Sequence, residues 1–88
     1  MLRQGDLTGA ILGAAVAVHT ALGPGLLESA YEDCFGYELM QRRIPFQRQV
    51  PLTVAFNGVQ LSCTYRLDFV VANEVVVELK SVERAWVL

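Results

Sequence analysis

The sequence is short of charge. Asp, Glu, Lys and Arg make up only 18% of its 88 residues, against 53% hydrophobic. Disorder needs the opposite balance, so the composition predicts a folded chain. A strong charge of either sign is also lacking. The net charge is −2 and the pI about 5.2, which excludes a global positive field drawing the chain to nucleic acid or to an anionic membrane. Any nucleic-acid contact would have to use a local patch. Arg42, Arg43, Arg48 and Arg66 are the available pieces, and solvated surface arginines are the plainer reading of each. Cys34 and Cys63 have no second Cys or His at ligand spacing, which excludes a Cys/His metal site. Their apolar surroundings read as core positions rather than a disulfide. No long hydrophobic run is present: residues 10–22 are apolar but include His19 and Thr20, and they fall short of the ~20 residues of a membrane span. The opening MLRQGD carries no signal-peptide pattern. A cytoplasmic chain with no membrane attachment is the expectation.

What is present is one domain, residues 1–88, with a modest core for its length. Its high apolar fraction points to surface covered by something outside the chain. Asp6 can cap a helix running to Leu22, where Gly23-Pro24 stops it. Ile11, Ala14, Ala15, Val18 and Leu22 form its apolar face, and its small residues suit close packing. A second helix is predicted over residues 26–43. Leu27, Tyr31, Phe35 and Leu39 recur on one face, Glu28 and Glu32 lie on a neighbouring one, and Gly36 marks close contact with the sheet. From Phe46 the period changes to that of strands. Residues 46–56 read as an edge or bulged strand because of Pro51. Asn57-Gly58 signals a type I′ hairpin, residues 59–71 a second strand, and residues 74–82 a third. The expected fold is α+β, two N-terminal helices packed on an antiparallel three-stranded meander.

Alternation puts Glu78 and Lys80 on one face of the third strand, and Arg66, Asp68 and Val70 on one face of the second. Two nearby carboxylates repel until a hard divalent cation binds between them. Such a cation keeps bound waters, one of which can attack a phosphodiester, and a lysine beside it can stabilise the charge that develops. A two-residue turn at Ala72-Asn73 would set Val71 opposite Glu74 and Asp68 opposite Val77. A slip of one residue, or a bulge, is needed to set Asp68 opposite Glu78. A solvated charged face is the plain alternative. Against it, VVVELK is apolar apart from these two charges, the pattern of a strand covered on both faces, and charges there need partners.

The segment LGPGLLESAYE, with Gly25, Glu28 and Tyr31, resembles the signature of the GxxExxY protein family. Arg48-Gln49-Val50-Pro51-Leu52, Tyr65-Arg66-Leu67-Asp68 and Val77-Glu78-Leu79-Lys80-Ser81-Val82 resemble its later blocks, in order and at similar spacing, so that the resemblance spans about residues 7–84. It implies a PD-(D/E)xK restriction-endonuclease-like core, with Asp68, Glu78 and Lys80 as the catalytic set. By the same resemblance Asp68, Glu78 and the helical Glu28 would ligate Mg²⁺ or Mn²⁺, and Gln49 and His19 would be further polar site positions. Packing or hydrogen bonding is the expected role of His19, and core packing that of Tyr31. Glu28 as a helix N-terminal charge is the plain alternative for that residue.

Family members continue past the ELK strand with a further helix and strands, whereas here the sequence reads ERAWVL and stops. The expectation is therefore a truncated core with an uncovered sheet edge, forming a homodimer through that edge and the apolar Trp86-Val87-Leu88. Two functions follow. One is a Mg²⁺-dependent nuclease-type domain acting on nucleic acid, DNA rather than RNA. The other is a catalytically inactive, truncated domain serving as a binding or oligomerisation module.

Overall fold

The computed structural model describes residues 4–79 and 85–87. Two helices lie on one side of a four-stranded antiparallel sheet. Helix α1 spans Gln4–Leu22 and α2 spans Glu28–Gln41; the strands are β1 Phe46–Phe56, β2 Val59–Val71, β3 Val75–Leu79 and β4 Ala85–Val87, in the order β1-β2-β3-β4. Leu7, Ile11, Ala14, Ala15 and Val18 of α1 are buried at helical spacing. Gly5–Leu22 is long and apolar enough to cross a membrane by length and composition, a test that a core helix passes equally; α1 starts before Asp6, which is why it exceeds the expected length.

Helix α1 ends at Gly23, whose N–H reaches the His19 carbonyl at 2.9 Å and whose φ is +72°, the left-handed turn that glycine allows. The Tyr31 hydroxyl then ties down the connection. It donates to the Gly23 carbonyl at 2.6 Å and accepts the Leu26 N–H at 3.1 Å. Its ring is fully buried. The signature tyrosine thus holds the glycine loop that precedes its own helix.

At its other end α2 stops at Gln41, short of the expected Arg43, because Arg43 turns left-handed with φ +59°. The Ile44 N–H bonds the Leu39 carbonyl and the Arg43 N–H bonds the Met40 carbonyl, both at 3.0 Å. This is the Schellman pattern, with Leu39 and Ile44 buried as its apolar pair.

Phe69 of β2 is the hub of the core. Phe35 meets it edge-on with centroids 4.9 Å apart, Phe46 lies 5.6 Å away, and the Arg48 guanidinium sits 5.5 Å above it. Burying a side chain of this size contributes about 1.5–3 kcal/mol. Gly36 lies in ordinary contact with Phe46 and the Arg48 stem, at 3.6 Å from a notional Cβ. The tighter approach is at Gly13, where a Cβ would stand 3.1 Å from the Arg42 guanidinium.

Three expectations are corrected. The sheet has four strands, not three: β4 pairs with β3 through Val77–Val87, Glu78–Trp86 and Leu79–Ala85. The strand expected to be an uncovered edge is therefore interior, and the apolar Trp86-Val87 stretch pairs within its own chain. Strand β3 also begins at Val75 rather than at residue 74; its expected end at residue 82 lies outside the described residues. Finally, the β2–β3 turn holds three residues. Val71 pairs with Val75, Val70 with Val76 and Phe69 with Val77. Ala72 and Asn73 both take positive φ, +53° and +58°, and the Glu74 N–H closes on the Val71 carbonyl. The Asn57-Gly58 hairpin forms with both residues at positive φ, as expected.

Candidate functional site

The extra turn residue sets the site. Carried one step past Phe69–Val77, the register places Asp68 opposite Glu78, the arrangement a two-residue turn would have missed by one position. Alternation from the buried Phe69, Val77 and Leu79 turns both carboxylates onto the sheet face away from that core. The β2–β3 ladder itself stops at Phe69–Val77. Beyond it the Leu79 N–H bonds the Asp68 carboxylate, N to Oδ2 2.9 Å. A side chain thus satisfies a main-chain donor where the two strands part. This fixes Asp68 with one oxygen committed to the sheet.

Glu78 is only 8% exposed, and its Oε1 is buried without a hydrogen-bond partner among the described residues. A buried carboxylate oxygen left unpaired is costly. Tyr65, three residues before Asp68, is exposed. Its hydroxyl is held above the usual tyrosine pKa, first by side-chain hydrogen bonding to Glu78, then by desolvation, then by the negative charges of Glu78 and Asp68. Tyr65 does not stand out in the sequence as a site residue. Its only signal was its place in the Tyr65–Asp68 block. Strict alternation would have pointed it away from Asp68, but the β1–β2 register shifts between Pro51 and Thr53, and such bulges re-aim nearby side chains.

The other site residues fall elsewhere. Lys80 lies outside the described residues. Glu28 is exposed at the first position of α2, and no three of His, Cys, Asp and Glu among the described residues stand close enough to hold an ion. Asp68 and Glu78 lie on neighbouring strands. The ring of His19 stacks on Tyr31, with centroids 4.8 Å apart and planes 21° from parallel, and its Nε2 is buried without a hydrogen-bond partner among the described residues.

Gln49 stands in a strained place. Arg48 pairs with Phe69 and Val50 with Leu67, so Gln49 lies across from Asp68. Its φ is +53°, uncommon for a non-glycine residue. Its side-chain amide bonds Glu32 of α2 at 2.7 Å. Arg48 joins the same group, reaching Glu32 at 3.3 Å and Asp33 at 2.9 Å. The Asp33 hydrogen bond is the largest of the effects that raise the Arg48 pKa, against desolvation, which lowers it. Of the acids on α2, it is Glu32 rather than Glu28 that is tied to the strand beside Asp68. Exposed ion pairs of this kind contribute about 0–1 kcal/mol each.

Comparison with known proteins gives one family. Residues 5–86 match the model of the PD-(D/E)XK nuclease superfamily. No curated protein and no solved structure matches the chain.

Proposed function

The chain belongs to the PD-(D/E)XK nuclease superfamily, and from that premise we propose that it is a nuclease-type domain hydrolysing phosphodiester bonds with a divalent cation, Mg²⁺ or Mn²⁺, held by Asp68 and Glu78. The observation that carries this reading is the buried Oε1 of Glu78, which has no hydrogen-bond partner among the described residues, on the strand beside Asp68. Oxygen ligands of this kind suit a hard cation. When bound, such a cation acidifies a coordinated water and offsets charge on the phosphate.

The chain's own residues supply the placement. The Leu79 N–H anchors Asp68 through one oxygen. Burial keeps Glu78 in a water-poor setting, where electrostatic interactions are strong. By its position two residues after Glu78, Lys80 is the proposed group for stabilising charge on the phosphate. Glu28 keeps a helix N-terminal role in this account, and His19 a packing role against Tyr31. DNA is the proposed substrate in preference to RNA.

The test is cleavage of a labelled DNA duplex and of an RNA of the same sequence, with Mg²⁺ or Mn²⁺ and with EDTA. Metal-dependent cleavage of DNA that falls at least about a hundredfold in Glu78→Gln supports the proposal, a loss of the size seen when one electrostatic contributor is removed. Cleavage that survives EDTA, or that persists in Glu78→Gln, overturns it.

A further inference from the structure

The hairpin formed by the outer halves of β1 and β2 is an arm with one apolar face. Val54 pairs with Leu61 and Phe56 with Val59. Residues opposite each other in a ladder share a face, and so do residues two apart on one strand. The four side chains therefore form one contiguous patch. All are exposed, at 39%, 62%, 55% and 47% for Val54, Phe56, Val59 and Leu61. The other face carries Thr53, Ala55 and Gln60, as their pairings show. Such alternation is the pattern of a ribbon with one side buried, yet the buried core of the domain includes none of these residues. A lone two-stranded ribbon is marginally stable in water and gains from a cover.

The chemistry of the arm restricts what can cover it. Between Gln49 and Tyr65 the sequence holds no Asp, Glu, Lys or Arg. Such a surface has nothing with which to hold a phosphate backbone or a charged peptide, and an uncharged apolar partner fits it. Another copy of the same arm meets that need. Each of the two cross-strand pairs is apolar, so two arms turned by a two-fold axis present like surface to like, the self-complementarity that an isologous contact requires. With a net charge of −2 per chain, little repulsion opposes it.

We propose that the apolar face of the β1–β2 arm is a self-association surface on which a second copy of the chain docks its own arm. The contact differs from a dimer through the sheet edge or the C-terminal residues, and it does not depend on catalysis. Four side chains per copy are far fewer than the roughly 20–30 residues a side of a stable interface, so the pairing is weak and reversible.

Sedimentation velocity over roughly 10 µM to 1 mM tests it, the range in which a contact this small is half-formed. The expected result is a rise from monomer toward dimer mass, with the midpoint moved at least about tenfold upward in Phe56→Ser/Leu61→Ser. Because both positions are exposed, the variant keeps the fold, checked by circular dichroism. A wild-type monomer at the highest concentration overturns the proposal, and so does unchanged association in the folded variant. Binding of a labelled single-stranded oligonucleotide to monomeric wild type, lost in the variant, overturns it in favour of a nucleic-acid surface.

Discussion

Asp68 combines two tasks that the sequence lists only as one acid. One oxygen replaces a ladder acceptor for the buried Leu79, at 2.9 Å, while the residue stands across from Glu78. The two tasks separate on substitution. Asp68→Ala removes the acceptor and leaves the Leu79 N–H to find another, at a cost of about 1–2 kcal/mol, less whatever carboxylate repulsion is relieved. Asp68→Asn keeps an oxygen at the same place and retains most of that stability, while losing the charge a cation needs. Urea unfolding of the two variants checks this, and equal losses in both would show that the bond to Leu79 contributes nothing. At this scale the acids and the signature tyrosine were legible in the sequence as types in a pattern. The binding of Gly23 and Leu26 by Tyr31 was not, because it links residues eight and five apart through a loop whose path only the fold sets. Nor was Tyr65, whose direction depends on a bulge in the neighbouring strand pair.

Among the elements, the β2–β3 turn sets the register between the strands that carry Asp68 and Glu78. Counting a two-residue turn puts Asp68 beside Val77; the three-residue turn pairs Phe69 with Val77, and that register carried one step further would set Asp68 opposite Glu78. Sequence pattern could not choose between them, since Ala72-Asn73-Glu74 lacks the glycine that usually announces left-handed turn residues. The structure places Ala72 at φ +53°, a conformation that costs a residue with a Cβ about 1–2 kcal/mol. Ala72→Gly should therefore raise stability by about 1 kcal/mol, which for a domain of this size is about 4–8 °C in Tm. A lower Tm in that variant, measured by calorimetry, would mean that the turn is not held as described. The Asn57-Gly58 hairpin was readable for the opposite reason: both residues are ones that adopt positive φ at little cost.

For the whole molecule, the sequence made the α+β class legible, with its two helices, its hairpin and the core face of each helix, because periodicity records which side is buried. It did not show the fourth strand. Ala85–Val87 is three residues long, too short to declare itself by alternation, and its pairing with β3 is a tertiary event. That strand makes β3 interior on both sides, and burial leaves the Glu78 Oε1 without a hydrogen-bond partner among the described residues. That oxygen and Asp68 together are the proposed cation site. Calorimetric titration of Mn²⁺ into the wild-type chain and into Glu78→Gln examines this without any assay of activity. One site per chain, with a Kd in the micromolar to millimolar range and lost in Glu78→Gln, is the predicted result; absence of binding up to roughly 10 mM, beyond the weakest ordinary carboxylate sites, or equal binding by both proteins, would contradict it.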